Sequence, residues 1–116
     1  MSGPLTFGYV RVASARPAWV ERWRQRILEH CQREGLTLDL VFADIAVPST
    51  QRLRPAWTAL LDVLTTHDAS VVIVPHIDHL SRTAEIRFEL QAQLAVLGTA
   101  AITLPRTRTR LDRGAS

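Results

Sequence analysis

Lysine is absent from this chain: all 14 of its basic residues are arginine, a skew that the codon bias of a GC-rich genome is enough to produce. Cysteine is nearly absent too. The one thiol, Cys31, can close no intramolecular disulfide and has no partner for a thiolate metal site. Its place in an amphipathic segment reads as a reduced core residue of a cytoplasmic protein. No apolar run approaches the roughly 20 residues that cross a bilayer, and the opening Met1-Ser2-Gly3-Pro4 lacks the basic-then-apolar order of a secretory leader. A soluble, cytoplasmic protein without membrane association is expected. There is also no internal repeat and no linker. With 116 residues, 47% of them hydrophobic and 22% charged, the chain has ordinary globular composition and enough length for one core, not two.

The net charge of +3 is unevenly placed. Residues 1–104 hold ten Arg against ten Asp and Glu, so the body is neutral. The last twelve residues carry Arg106, Arg108, Arg110 and Arg113 against Asp112, four minus one, which is the whole excess. The chain therefore divides into a domain, 1–104, and a basic tail, 105–116. Such a tail reads either as a disordered solvated end or as a weak, non-specific DNA contact through those four arginines.

Hydrophobic periodicity supplies the architecture. Strands are expected near residues 5–12, 38–43, 70–75 and 100–104. Pro17 opens a helix with Trp19, Val20, Trp23, Ile27, Leu28 and Cys31 on one face, stopped by Gly35. Pro55 opens a second, with Trp57, Leu60, Leu61 and Leu64 as its stripe. A third runs from about Thr83 to Leu97, burying Ile86, Leu90, Leu94 and Leu97. The continuous apolar run Val71–Val74 suits a central strand covered on both faces. This alternation predicts an α/β fold: a mainly parallel four-stranded sheet with helices on both faces. In such open sheets, sites form at the carboxyl ends of strands. Arg11 to Ser14, Asp44, and Asp78 to Arg82 all fall on that edge by topology alone.

Two of these segments carry more. Tyr9-Val10-Arg11-Val12-Ala13-Ser14 and Val71 to Arg82, VVIVPHIDHLSR, resemble the paired motifs of the serine recombinase catalytic domain, the resolvase/invertase family. There they usually read Tyr-x-Arg-Val-Ser-Thr and Leu-Asp-Arg-Leu-Ser-Arg. The resemblance covers about Phe7 to Leu104. It implies a resolvase-like domain that cuts DNA by serine attack on a phosphodiester, with guanidinium groups holding the phosphate oxygens. It sets Arg11, Asp78 and Arg82 on family positions, and Arg54, before Pro55-Ala56-Trp57, on the arginine of an Arg-Pro-Gly-Leu segment; Arg52 is the alternative. The departures are specific. Ala13 stands at the nucleophile position, His79 replaces an arginine, Pro17 replaces a glutamine, and the Ser-Gly often found after the second strand is not evident in Val47-Pro48-Ser49.

Each singled-out residue also has a plainer reading. Ser14 is the alternative nucleophile, but strand alternation turns a neighbouring side chain to the opposite face unless a turn intervenes. Arg11 and Arg82 form either a phosphate cradle or ion pairs with Asp78, which in turn either takes part in chemistry or caps the turn before the third helix. His76 and His79 lie three apart without a third ligand, so no metal or other cofactor is expected. The three tryptophans lie on helix stripes and read as packing rather than base stacking. Twelve residues follow the expected fourth strand, so no recognition domain is expected. The resemblance then implies a catalytically degenerate, stand-alone recombinase-like module. It would act in DNA recombination through protein contacts, pairing with itself or with a full-length recombinase. The alternative is a divergent active recombinase using Ser14 with Arg11, Arg54 and Arg82. An unrelated α/β phosphoryl-binding domain is the third.

Overall fold

In the computed structural model, residues 5–67 and 71–105 are described. The order is β1 Leu5–Val12, α1 Pro17–Glu34, β2 Thr37–Ile45, α2 Pro55–Leu64, β3 Val71–Val74, a single 3-10 turn Ile77–His79, α3 Ala84–Val96 and β4 Ala101–Thr103. All the strand pairings are parallel, in the order β2-β1-β3-β4. The α/β fold expected from periodicity is therefore the one observed, with element ends displaced by a residue or two.

Alternation along the strands sorts the core into two layers. Phe7 and Tyr9 of β1 join Val72 and Val74 of β3 under α2 and α3, where Trp57, Leu60, Leu64, Ile86, Leu90 and Leu94 complete one cluster. Val10, Val12 and Ile73 point the other way, beneath Val20, Ile27 and Cys31 of α1. Central β1 is buried along nearly its whole length, as a strand covered on both faces must be. Edge strands β2 and β4 leave Leu40 and Ile102 exposed. Side chains of β2 and α1 close over β1 so tightly that a Cβ on Gly8 would stand 3.0 Å from a Val41 methyl of β2 and 3.2 Å from Ile27 of α1. At the far end of α1, Gly35 takes φ 69° and returns its N–H to the Cys31 carbonyl, the left-handed stop that its sequence position predicts.

The order of the strands fixes where a site can form. The chain leaves β1 toward β2 on one side and reaches β3 on the other, so a crevice opens at the carboxyl ends of β1 and β3. Trp19 departs from the packing expected of its stripe. It lies in the first turn of α1, beyond the point where β1 ends, and with no strand beneath it remains 43% exposed. Trp57, by contrast, is enclosed edge-on against Tyr9 at 4.9 Å.

Candidate functional site at the carboxyl edge of the sheet

Arg11 leaves β1 one residue before the strand ends and is 9% exposed. Its guanidinium donates through Nη1 to the Val47 carbonyl at 3.0 Å and through Nη2 to the Asp78 carbonyl at 2.7 Å. Nε is buried without a partner. Burial, and then the like charge of Arg54, lower its pKa. Two carbonyls from two different loops are thus gathered onto one cation. Val47 is aimed by its neighbour: Ala46 adopts φ 60°, uncommon for a residue with a Cβ, and the Val47 N–H then reaches the Val12 carbonyl at 3.1 Å.

His79, where the resemblance expects a guanidinium, serves as an acceptor. The backbone N–H of Arg11 donates to its Nδ1 at 3.1 Å, so the proton of the neutral ring resides on Nε2. The ring is buried and meets the Trp23 indole edge-on at 5.1 Å. Burial first, then the positive charge of Arg11, hold its pKa down to about 4. At neutral pH this position carries no charge.

Arg54 is 1% exposed and turned wholly inward. Nε donates to the Gln51 carbonyl at 2.7 Å and Nη2 to the Ser49 carbonyl at 3.0 Å, while Nη1 lies 3.4 Å from both the Tyr9 hydroxyl and the His79 carbonyl. Arg52 instead pairs across the surface with Glu89 at 2.8 Å and Glu85 at 3.7 Å on α3. Of the two arginines weighed for the family position, only Arg54 reaches the edge where Arg11 and His79 stand.

Three residues of this network lie in or beside the segments that the sequence placed at this edge, but it gave them no role. Asp44, at the end of β2 and buried, accepts from the backbone N–H groups of Ala56 at 2.8 Å and Trp57 at 3.0 Å, and from the Tyr9 hydroxyl at 2.8 Å. It caps α2 from a distance, because Arg54 in the N-cap place makes no side-chain cap. A Pro-initiated helix with no Ser, Thr, Asp or Asn before it was the available signal. Tyr9, desolvated and beside the Asp44 carboxylate, has its phenol pKa raised. Ser81 is fully buried; its hydroxyl donates to the Ser49 carbonyl at 2.8 Å and accepts from the Thr83 N–H at 3.0 Å, so Ser81 rather than Asp78 secures the entrance to α3.

The resolvase N-terminal domain profile matches residues 6–113. The chain belongs to the resolvase family. Solved structures repeat the resolvase fold at low identity. The N-terminal catalytic domain of TP901-1 integrase superposes with a TM-score of 0.78 at 19% identity, covering 86% of this chain and 77% of that one. The C-terminal catalytic domain of ISC1926 TnpA, an IS607-like serine recombinase, gives 0.75 at 19%, covering 88% and 68%. A resolvase family site-specific recombinase from Streptococcus pneumoniae gives 0.70 at 13%, covering 87% and 72%. No curated protein sequence matches the chain.

Within this resolvase domain, Arg11, Ala13, Ser14, Asp78, His79 and Arg82 line one cleft of about 240 Å³, and an adjoining cleft of about 280 Å³ adds Ser49. Strand β1 stops at Val12 and the chain bends, so strict alternation no longer governs Ala13 and Ser14, and both border the cleft. This is the turn under which Ser14 can share the cleft with Ala13. Its Oγ accepts the Arg16 N–H at 3.0 Å, a local turn. Asp78 lies 4.0 Å from Arg82 Nε and 3.7 Å from His76 Nδ1. Arg82 is the exposed cation of the site, its side chain 79% accessible. Among the described residues no three His, Cys, Asp or Glu side chains are grouped to hold a metal, and no helix is long and apolar enough to cross a membrane. Arg106, Arg108, Arg110 and Arg113 lie outside the described residues.

Proposed function

We propose that this chain is a catalytically degenerate serine-recombinase domain, serving DNA recombination as a binding or regulatory module. The observation that carries the reading is a cleft bordered by Arg11, Asp78 and Arg82 in which Ala13 stands at the nucleophile position. A methyl group supplies no attacking oxygen, and positioning cannot compensate for a missing atom. The surroundings support the same reading. Arg11 commits two N–H groups and Arg54 three to main-chain carbonyls, and a neutral His79 stands where a further guanidinium is expected. Arg11, Arg54, Asp78 and Arg82 then form a relic site whose two buried cations, Arg11 and Arg54, brace loops.

Action through protein contacts, with a second copy or a full-length recombinase, is supported by the outer face of α3. Phe88 and Val96, two helical turns apart, are 72% and 85% exposed on the side away from the core stripe.

Trapping with denaturant after incubation with supercoiled or nicked DNA tests the degenerate site. No phosphoserine–DNA adduct is expected. An adduct lost in Ser14→Ala would establish the second reading, an active divergent recombinase, which is favoured by Ser14 bordering the cleft with Arg11 and Arg82. An adduct lost in Ser49→Ala would also overturn degeneracy.

A further inference from the structure

The relic cleft has an aromatic wall that phosphodiester chemistry does not use. Trp19 and Trp23, one helical turn apart on α1, both border it, as does Arg82. Trp23 also borders a neighbouring cleft of about 400 Å³ with Pro75, His76 and Leu104, so the indoles stand along a continuous depression. Cationic groups accompany the rings: the Arg22 guanidinium carbon is 5.2 Å from the Trp19 ring centre and that of Arg26 is 5.4 Å from Trp23. Trp19 retains 43% exposure even so. Around the cleft, Arg11 and Arg82 outnumber the single carboxylate of Asp78. A planar apolar surface beside a cationic rim suits a ligand with a flat face and a phosphate. Single-stranded nucleic acid has both, whereas in a duplex the base faces are stacked on one another.

We propose that this cleft takes an unpaired nucleotide of single-stranded DNA, its base stacked on Trp19 and its phosphate held by Arg82 in competition with Asp78. The choice of DNA rests on the recombination reading above. Trp19 is the reporting group, because Trp57 is enclosed in the core and Trp23 is partly buried against His79.

The test is binding of three fluorescein-labelled probes to the full chain, read by fluorescence anisotropy at one ionic strength: a short oligothymidylate, an abasic oligomer of equal charge, and a duplex. Quenching of tryptophan fluorescence is the second readout in the parent chain. Oligothymidylate should quench and bind more tightly than the abasic oligomer, which presents phosphate alone to the cleft and the basic tail. Trp19→Ala should weaken oligothymidylate binding by at least about fivefold, as loss of one base–aromatic stack does, and leave abasic binding unchanged. Trp19→Phe should retain most of the affinity, and Arg82→Ala should weaken both single strands. Equal binding of thymidylate and abasic oligomers, or undiminished thymidylate binding in Trp19→Ala, would overturn the stacking. Both residues are exposed, so neither variant should disturb folding; circular dichroism checks this. A covalent adduct would overturn degeneracy and leave this test standing, whereas failure of the Trp19 dependence would leave degeneracy standing.

Discussion

The backbone N–H of Arg11 ends on Nδ1 of His79, 68 residues away, at 3.1 Å. This bond closes the carboxyl end of β1 onto the turn after β3, and it requires an imidazole without a proton on that nitrogen. The histidine is therefore a clamp whose strength depends on its remaining neutral.

Acid should release the clamp. In the unfolded chain His79 titrates near 6.5, while the folded protein holds it down to about 4. Below 6.5 the unfolded state binds the additional proton, so this contribution is complete above that pH and is lost as pH falls toward 4. The loss amounts to at most roughly 3 kcal/mol from 1.36 kcal/mol per pKa unit. Urea unfolding between pH 7.5 and pH 4 should reveal it, and His79→Gln should flatten the acid limb of the curve. An unchanged acid limb in that variant would place the titration elsewhere.

Restoring the arginine that the resemblance expects should cost stability. His79→Arg removes the acceptor of a buried N–H and adds a cation beside Arg11. Leaving the donor unsatisfied costs about 1–3 kcal/mol. Ala13→Ser, at an exposed position, should fall within about 0.5 kcal/mol of the parent. Chemical denaturation of the two single variants and the double variant should assign nearly all the loss to His79→Arg. A neutral His79→Arg would mean that the edge tolerates a guanidinium and that the Arg11 N–H finds another partner.

Asp44 should be the polar residue the fold can least spare. Tyr9→Phe deletes one hydrogen bond to a carboxylate, worth about 1.5–3 kcal/mol. Asp44→Ala deletes that bond and also strips the cap from α2, so a loss of roughly 3 kcal/mol or more is expected. The double variant should lose less than the sum, because both changes delete the same Tyr9–Asp44 bond. Strict additivity in urea melts would show that the bond contributes little.

Duplex binding, in contrast to the single-strand cleft, should be weak, non-specific and carried by the basic tail. Four arginines permit a salt slope no steeper than about −3.6, at about −0.9 per phosphate contact, with affinity in the range of roughly 10⁻⁴ to 10⁻⁶ M. Deleting residues 105–116 should abolish it, while Arg11→Ala changes it little. Titrations at several salt concentrations measure both. Duplex binding that survives the deletion and fails in Arg11→Ala would mean that the relic pocket still grips phosphate.

The sequence alone was sufficient for the sheet. Apolar runs, the Pro starts of α1 and α2 and the Gly35 stop are local signals, and parallel crossovers leave few arrangements for them. It also showed the missing nucleophile, since Ala13 has no oxygen in any conformation. What each arginine does was decided only by tertiary structure. Arg54 is buried on main-chain carbonyls while Arg52, two residues earlier, lies on the surface against Glu89. No periodicity separates them, because their partners are set by how the 46–54 loop folds back over β1. The same holds for His79, whose role as acceptor comes from a strand end 68 residues away, and for Trp19, left exposed because β1 stops short of it. Local chemistry names the groups present at an edge; long-range packing decides which hydrogen bonds they have already spent.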